Sequence, residues 1–142
     1  MEFLSKEFKE LSTKELYEIL KARSQIFIVE NNMRCLDMDG EDYNSLHCFL
    51  TENGNVVAYL RAFKLNDSVK IGRVLTVTHG IGLGRKLMEQ AIPEIIKCFG
   101  SNKIVLNSQK SAIGFYKKLG FKITSGEFLE ENVIHVSMEF EV

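Results

Sequence analysis

Three glycines occupy every second position from Gly80 to Gly84, and they join a strand-like pattern to a helix-like one. The residues before them, VKIGRVLTV, are rich in β-branched side chains, and those after them repeat apolar residues at helical spacing. Glycine loses more conformational entropy on folding than alanine does. The sequence therefore predicts one of two requirements here: backbone angles that glycine adopts easily, or close approach of another group to the backbone.

A glycine-rich turn at the start of a helix suggests an anionic ligand, because unpaired helix amides and the helix dipole bind phosphate. Two familiar phosphate motifs do not fit. A P-loop requires Gly-Lys and then Ser or Thr, but Gly84 is followed by Arg-Lys-Leu. A dinucleotide fingerprint requires its third glycine one residue later and an acidic residue ending the next strand, where this chain has Asn107. Anion binding and a simple tight turn both remain open.

Strand and helix patterns alternate along the rest of the chain. Ser12 and Glu15 form a capping-box signature at the start of a helix, and Asn53-Gly54 predicts a tight hairpin. Pro93 is predicted to kink or split the helix after the glycines. The pattern predicts helices over residues 12–28, 83–99 and 111–119, and strands over 45–51, 56–63, 69–77, 103–106, 121–129 and 134–140.

The length suits a single domain over residues 1–142, and the alternating pattern makes it an α/β domain. With 45% apolar and 26% charged residues, the composition is that of a globular protein. The net charge of −1 gives no overall field for nucleic acid or an anionic membrane, so neither is predicted as a partner. No apolar run approaches the roughly 20 residues of a membrane span. Cys35, Cys48 and Cys98 lack disulfide or metal-ligand spacing, so we expect reduced thiols, a cytoplasmic location and no metal.

Two segments together resemble the GNAT superfamily of acyl-CoA-dependent N-acyltransferases. In VLTVTHGIGLGRKLM, the run from His79 to Gly84 matches the family's cofactor motif of Arg or Gln, two residues, Gly, one residue, then Gly or Ala. The segment QKSAIGFYKKLGF carries the family's Ala, Phe-Tyr and Gly-Phe at Ala112, Phe115, Tyr116, Gly120 and Phe121. The resemblance implies a GNAT-like α/β fold: a mixed, mostly antiparallel sheet flanked by helices and splayed where acyl-CoA enters.

The N-terminal half resembles the ElaA-type subgroup of that family. The matching features are Arg23, the IFIVEN run with Phe27 and Glu30, the Asp37-x-Asp39-Gly40 loop and His47. The ending EENVIHVSM, with His135, is similar to that subgroup as well, so the resemblance covers nearly the whole chain. Arg23, Phe27 and the acidic loop also resemble, more faintly, the related autoinducer synthases.

The resemblance implies an enzyme that transfers an acetyl group from acetyl-CoA to a small-molecule or peptide primary amine by direct attack, as a monomer or homodimer. A sensor that binds acyl-CoA without turnover is the alternative from another class. His79 stands where the family has Arg or Gln and offers the pyrophosphate less charge, for which Arg85 and Lys86 can compensate. The residues implied to bind acetyl-CoA are Leu75, Thr76, Val77, His79, Gly80, Ile81, Gly82, Leu83, Gly84, Arg85, Gln109 and Tyr116.

The implied transfer needs an oxyanion donor, an acid and a base. A backbone amide in the strand before the glycines is implied as the oxyanion donor. Tyr116 is implied as the general acid that protonates the leaving thiolate, although from the residues alone it also fits a packed core aromatic. Glu30 is the carboxylate placed to help the acceptor amine lose its proton, or else a solvated charge at a helix end.

The acidic run LDMDGEDY does not fit a calcium loop, because its glycine and closing glutamate are not at the required positions. It is either an ordinary turn or a ring of carboxylates at the acceptor entrance, formed by Asp37, Asp39, Glu41 and Asp42. His47 and His135 fall on predicted strands and either share the cleft or serve packing. Cys48 cannot form a catalytic pair with His47, since adjacent strand residues point to opposite faces.

Overall fold

The computed structural model describes residues 1–142 and contains one eight-stranded mixed sheet. Its strands are β1 Glu2–Glu7, β2 Leu46–Glu52, β3 Asn55–Leu65, β4 Ser68–Thr76, β5 Lys103–Gln109, β6 Lys122–Ile123, β7 Phe128–Glu130 and β8 Val133–Glu141. They lie in the order β1-β2-β3-β4-β5-β8-β6, with β7 paired to β8 beside this path. Neighbouring strands are antiparallel except β4 and β5, which are parallel, so the predicted mixed and mostly antiparallel sheet is confirmed.

Three α-helices accompany the sheet: α1 Thr13–Arg23, α2 Leu83–Phe99 and α3 Ile113–Lys118. Helix α1 begins as predicted, because the Glu15 amide donates to the Ser12 hydroxyl and the Ser12 amide donates to the Glu15 carboxylate. At its other end α1 continues directly into a π-helix, Ser24–Glu30. Turns of this kind are rare and are frequently found at functional sites.

Helix α2 starts directly after the glycines and ends at Gly100, whose φ of +63° closes the last turn. The prediction that Pro93 splits this helix is wrong, because α2 is continuous from Leu83 to Phe99. Ala91 and Ile95, on either side of Pro93, are both fully buried and pack into the same core. That packing holds both parts of the helix on the sheet. No helix in the structure has the length and apolar character needed to cross a bilayer.

Two hydrophobic cores lie on opposite faces of the sheet, because successive strand residues point to opposite sides. In β2, Cys48 and Leu50 belong to a cluster of 20 buried residues that includes the apolar face of α2. Phe49, between them, belongs to a smaller cluster beside α1. That cluster consists of Ile19, Ala22, Ile26, Phe49, Val56, Tyr59 and Leu75.

Strands β4 and β5 diverge along their length. They pair only through Val69 with Ile104 and Lys70 with Val105, although β4 continues to Thr76. Strand β4 also shifts register against β3 just beyond the last of these pairs, and Arg73 adopts a φ of +53° there, as expected for a β-bulge. The divergence opens a cleft between the two strands, which is the splayed arrangement that the family resemblance implies.

Most predicted elements are present, and the Asn53-Gly54 hairpin joins β2 to β3. Strand β1 was not predicted, because its Glu and Lys residues break the apolar pattern; it lies at the sheet edge and pairs only with β2. Residues 121–129, predicted as one strand, form the short strands β6 and β7 instead. Between them the Ser125 hydroxyl accepts a hydrogen bond from the Ser137 amide (2.8 Å), which interrupts the regular ladder.

Three arginines and three aspartates form a partly buried group of ion pairs that joins the loop before β2 to α1, β3 and β4. We call Arg23, Arg61, Arg73, Asp37, Asp39 and Asp42 the arginine–aspartate cluster. Nitrogen-to-oxygen distances of its main pairs are 2.7 Å for Arg23–Asp42, 2.7 Å for Arg61–Asp39 and 2.9 Å for Arg73–Asp37. Because the side chains of Arg23 and Arg61 are almost fully buried, these pairs fix the loop onto the sheet.

Candidate active site

A cleft of about 900 Å³ lies between the diverging ends of β4 and β5 and extends from the glycine turn to the β7–β8 hairpin. Of the twelve residues predicted to bind acetyl-CoA, ten line it: Leu75, Thr76, His79, Gly80, Gly82, Leu83, Gly84, Arg85, Gln109 and Tyr116. Val77 and Ile81 are not part of this lining. The Val77 amide donates a hydrogen bond to the Val57 carbonyl (2.9 Å), so this amide is already engaged.

The glycine turn meets both of the requirements that the sequence left open. Gly80 and Gly82 have φ of +78° and +80°, values that other residues adopt only with strain. Around both, the space that a side chain would fill is empty to at least 4 Å. Gly84 serves close packing instead, since a Cβ there would lie 3.3 Å from the Phe115 ring. Helix α2 has no side-chain cap at Gly82, so its first amides lack side-chain partners.

His79 connects the glycine turn to the end of the π-helix. Its Nδ1 lies 3.3 Å from the Thr76 hydroxyl, and its Nε2 lies 3.3 Å from a carboxylate oxygen of Glu30. The side chains of His79 and Glu30 are 70% and 49% exposed. Glu30 does not line the cleft, so it lies at the rim, beside a residue of the implied cofactor motif.

Tyr116 belongs to both the core and the cleft. Its ring packs edge-on against Phe115 and Phe121, with centroids 5.0 and 5.7 Å away, which is the arrangement of a core aromatic. The residue also lines the cleft, and its hydroxyl has no hydrogen-bond partner within the protein. Burial raises the pKa of Tyr116 to about 12. The phenol is therefore protonated at neutral pH and has a proton to donate.

The end of the cleft at the β7–β8 hairpin is lined by acidic and imidazole groups. His135 on β8 lies opposite Gln109 of β5 in the antiparallel register, and Glu130 and Glu131 line the cleft with them. A smaller hollow of about 390 Å³ adjoins this end and shares Asn31, Met33, Gln109 and Glu131 with the cleft. Sequence analysis did not identify either glutamate as a site residue. Their position beside His135 in the ElaA-like ending was the available signal.

His47 lies away from the cleft. Its Nδ1 is 2.7 Å from the Tyr59 hydroxyl and its Nε2 is 2.9 Å from the Asp42 carbonyl oxygen. Burial lowers the pKa of His47, so the neutral ring serves packing. The interpretation of the acidic run as a ring that attracts the acceptor is wrong for Asp37, Asp39 and Asp42. Arginines of the cluster pair with all three and neutralise their charge.

The diverging strands, the glycine turn at the start of α2 and the single cleft that joins them define an acyl-CoA acyltransferase fold. A sequence profile of the acetyltransferase (GNAT) domain matches residues 7–142. The chain therefore belongs to the GNAT acetyltransferase family, and the fold supports acyl transfer from acyl-CoA to an acceptor substrate.

Relatives and solved structures agree with this assignment. A UPF0039 protein of Schizosaccharomyces pombe is 38% identical over 100% of this chain and 98% of its own length. Protein ElaA of Escherichia coli is 30% identical over 94% of this chain and 92% of its own. Its crystal structure matches 99% of this chain and 100% of that chain with a TM-score of 0.93. An acyl-CoA N-acyltransferase from Pseudomonas aeruginosa has a TM-score of 0.93 at 28% identity, covering 99% of both chains. The predicted ElaA-type resemblance is confirmed.

Proposed function

We propose that the protein transfers an acetyl group from acetyl-CoA to a small-molecule or peptide primary amine by direct attack. One observation carries the proposal: a single cleft holds an open, uncapped helix start at one end and a protonated tyrosine hydroxyl without a protein partner. A related structure bears the description acyl-CoA N-acyltransferase, which supports acyl-CoA as the donor.

The glycine turn fits a pyrophosphate. Since the space next to Gly80 and Gly82 is empty, a phosphate can approach the backbone closely there. Uncapped amides at the start of α2 are donors for its oxygens, and the helix dipole favours negative charge at this end. Arg85 in the first turn carries a permanent positive charge, which His79 does not, and its pair with Glu89 is exposed to solvent, so a phosphate can compete for it. Bound acetyl-CoA supplies the activated thioester.

Tyr116 is proposed to protonate the departing sulfur, and its raised pKa keeps it in the acid form across the physiological pH range. The backbone amide of Thr76, which lines the cleft, is the candidate for the oxyanion donor, because the register turns the amides of Leu75 and Val77 toward β3. Glu30, at the rim, is proposed to attract the ammonium group of the acceptor or to pass its proton to water. A cytoplasmic location stays a prediction that rests on the three unpaired cysteines.

The substitution Tyr116→Phe tests the acid, because it removes the hydroxyl and keeps the packed ring. We expect CoA release from acetyl-CoA and a panel of primary amines to fall about a hundredfold. Acetyl-CoA affinity, measured by calorimetry, should stay within a factor of two. Phe115→Leu is the matched control for altered packing beside the same cleft.

Two outcomes would contradict the proposal. Turnover of Tyr116→Phe within threefold of the parent would leave Tyr116 as a core aromatic. A parent protein that binds acetyl-CoA but releases no CoA with any amine would favour the non-catalytic sensor. Because binding and turnover are measured separately, the two outcomes are distinguishable.

A further inference from the structure

His135 is buried in the protein and yet reaches the cleft. Its side chain is only 7% exposed, and its ring stacks on Phe128 with centroids 6.1 Å apart. It lies opposite Gln109 in the β5–β8 register and lines the cleft that also holds Tyr116. The ring is therefore fixed by packing at the hairpin end of the candidate active site.

Hydrogen bonding fixes which nitrogen of His135 is basic. Nδ1 lies 2.8 Å from the Val133 carbonyl oxygen. A carbonyl oxygen can only accept a hydrogen bond, so Nδ1 carries the proton of the neutral ring. The free lone pair is then on Nε2. This arrangement is the one that a general base requires, with one nitrogen anchored and the other available.

The Nε2 of His135 faces a carboxylate that cannot donate to it. Glu130 Oε2 lies 3.5 Å away, beyond the length of a good hydrogen bond. The other oxygen, Oε1, accepts a hydrogen bond from the Asn107 side chain (3.1 Å), and Asn107 Oδ1 accepts one from Ser137 (3.1 Å). Strands β5 and β8 thus hold the carboxylate in place. In the neutral ring, two acceptors converge on one point with no donor between them.

An ammonium group satisfies both acceptors, since it carries three N–H donors and a positive charge. The other charged group at this end is Glu131, which lines the cleft and the adjoining hollow with a φ of +50° in the hairpin turn. The lysine and arginines that line the cleft lie away from this end: Lys70 is paired in register with Val105, and Arg73 and Arg85 are ion-paired with Asp37 and Glu89. Arg34 lines the hollow but not the cleft. The hairpin end of the cleft therefore favours a cation.

We propose that the acceptor binds as a primary ammonium that donates hydrogen bonds to both Glu130 Oε2 and His135 Nε2, and that His135 is the base that removes its proton. The inference rests on the proposed acetyl transfer and names the class of acceptor as cationic primary amines. It also assigns the direct proton transfer to His135 and leaves Glu30 a role at the rim.

The proposed transfer releases one proton from the acceptor ammonium in each turnover. One proton moves from the ammonium to His135 Nε2, and the freed nitrogen lone pair forms a bond to the thioester carbonyl carbon. The carbon–sulfur bond breaks with its electron pair on sulfur, which takes the proton of the Tyr116 hydroxyl. The new amide nitrogen loses one more proton, which restores Tyr116 through solvent. His135 releases its proton to water, so each turnover yields amide, CoA thiol and one proton.

Kinetics of His135→Gln and Glu130→Gln test this assignment with spermidine and a lysine peptide as acceptors. His135→Gln should lower kcat about a hundredfold and leave acetyl-CoA affinity within a factor of two. Glu130→Gln should raise the acceptor KM about tenfold and change kcat much less. Glu127→Gln is the matched control, because that glutamate is half exposed and pairs with Lys110 outside the site; its kinetics should equal those of the parent. His135→Gln within threefold of the parent kcat would overturn the base assignment.

Nuclear magnetic resonance of ¹⁵N-labelled histidine tests the same site without turnover. The chain has only three histidines, so their ring signals can be assigned by substitution. At pH 8 we expect the His135 proton on Nδ1, and we expect the Nε2 signal to shift when spermidine is added. Glu127→Gln should show the same proton position and the same shift as the parent. Glu130→Gln should lose the shift. A proton on Nε2, or on both nitrogens, overturns the base assignment. If the parent releases no CoA but the shift occurs, the acetyl-transfer proposal fails and the ammonium site stands.

Discussion

The arginine–aspartate cluster and the glycine turn both concentrate polar groups beside β4, but those groups are buried and paired in the cluster and exposed in the turn. In the cluster, Arg23 and Arg61 are buried and pair with carboxylates at 2.7 Å. In the turn, His79 and Arg85 are 70% and 76% exposed, and their partners Glu30 and Glu89 are exposed as well. The amides at the start of α2 have no side-chain cap. Buried ion pairs use up the charges of the cluster, whereas the glycine turn leaves its backbone donors available at the surface.

The difference shows how the same strand supports both stability and function. Burial alone would raise the pKa of Asp42, but hydrogen bonds and charge from Arg23 and Arg61 outweigh it and hold that pKa below its ordinary value. Asp42 is therefore ionised and paired with these arginines in the folded protein. The charged groups of the cluster are already paired with one another, so they offer a ligand no free partner. At the glycine turn, an anion can accept hydrogen bonds from unpaired backbone donors.

The largest effect is expected from breaking the cluster. Arg23→Met keeps the length and apolar stem of the side chain but leaves Asp42 and Asp37 short of a buried partner. We expect the free energy of unfolding to fall by about 3–5 kcal/mol, measured by urea denaturation. Lys110→Met, which removes an exposed ion pair with Glu127, is the control and should change it by at most about 0.5 kcal/mol. Equal losses in the two variants would mean that the cluster is no more structural than a surface pair.

The second effect tests whether the glycine turn is available to an anion. Gly82→Glu places a negative charge in the open space beside the turn, and we expect acetyl-CoA affinity to fall at least a hundredfold by calorimetry. Gly82→Ala carries the same strain from a φ of +80° without the charge, and it should lose much less affinity. Unchanged binding in a folded Gly82→Glu protein would remove the turn from the binding site.

The smallest effect concerns pH. Burial lowers the pKa of His47 next to the cluster, so the unfolded chain binds a proton there more readily than the folded protein does. The free energy of unfolding should therefore fall as pH drops below about 6.5, by about 1.4 kcal/mol for each pH unit until the folded ring titrates. Asp42, whose pKa is also lowered, adds a further loss below about pH 4. His47→Gln should flatten only the first part of this curve, and an unchanged curve would contradict the assignment.

The cofactor end of the site could be predicted because its signals are local. Gly80 and Gly82 show their need for positive φ through residue type alone, and a strand before them with a helix after them sets their place in the fold. The helix start and the hairpin at Asn53-Gly54 were predictable for the same reason. The catalytic role of Tyr116 was predicted from the family resemblance, since the residue pattern around it fits a core aromatic equally well.

The rest depends on contacts between distant residues. The acidic run gives no sign that Arg23, Arg61 and Arg73 will neutralise it, because those partners come from α1, β3 and β4. Likewise, His135 and Glu130 become a pair only when β7 and β8 form a hairpin. The sequence shows these residue types but not the register that joins them.

The short pairing of β4 with β5 has a mechanical consequence. Within the sheet, only two residue pairs connect β1–β4 to β5–β8, and the two halves otherwise meet through the hydrophobic core beside α2. The cleft begins where the pairing of β4 with β5 ends, and a molecule bound there touches both halves of the sheet. Such a ligand connects the two halves of the sheet where their strands no longer pair, and it stabilises the folded state by the free energy of its own binding. Binding of the substrate therefore also stiffens the sheet.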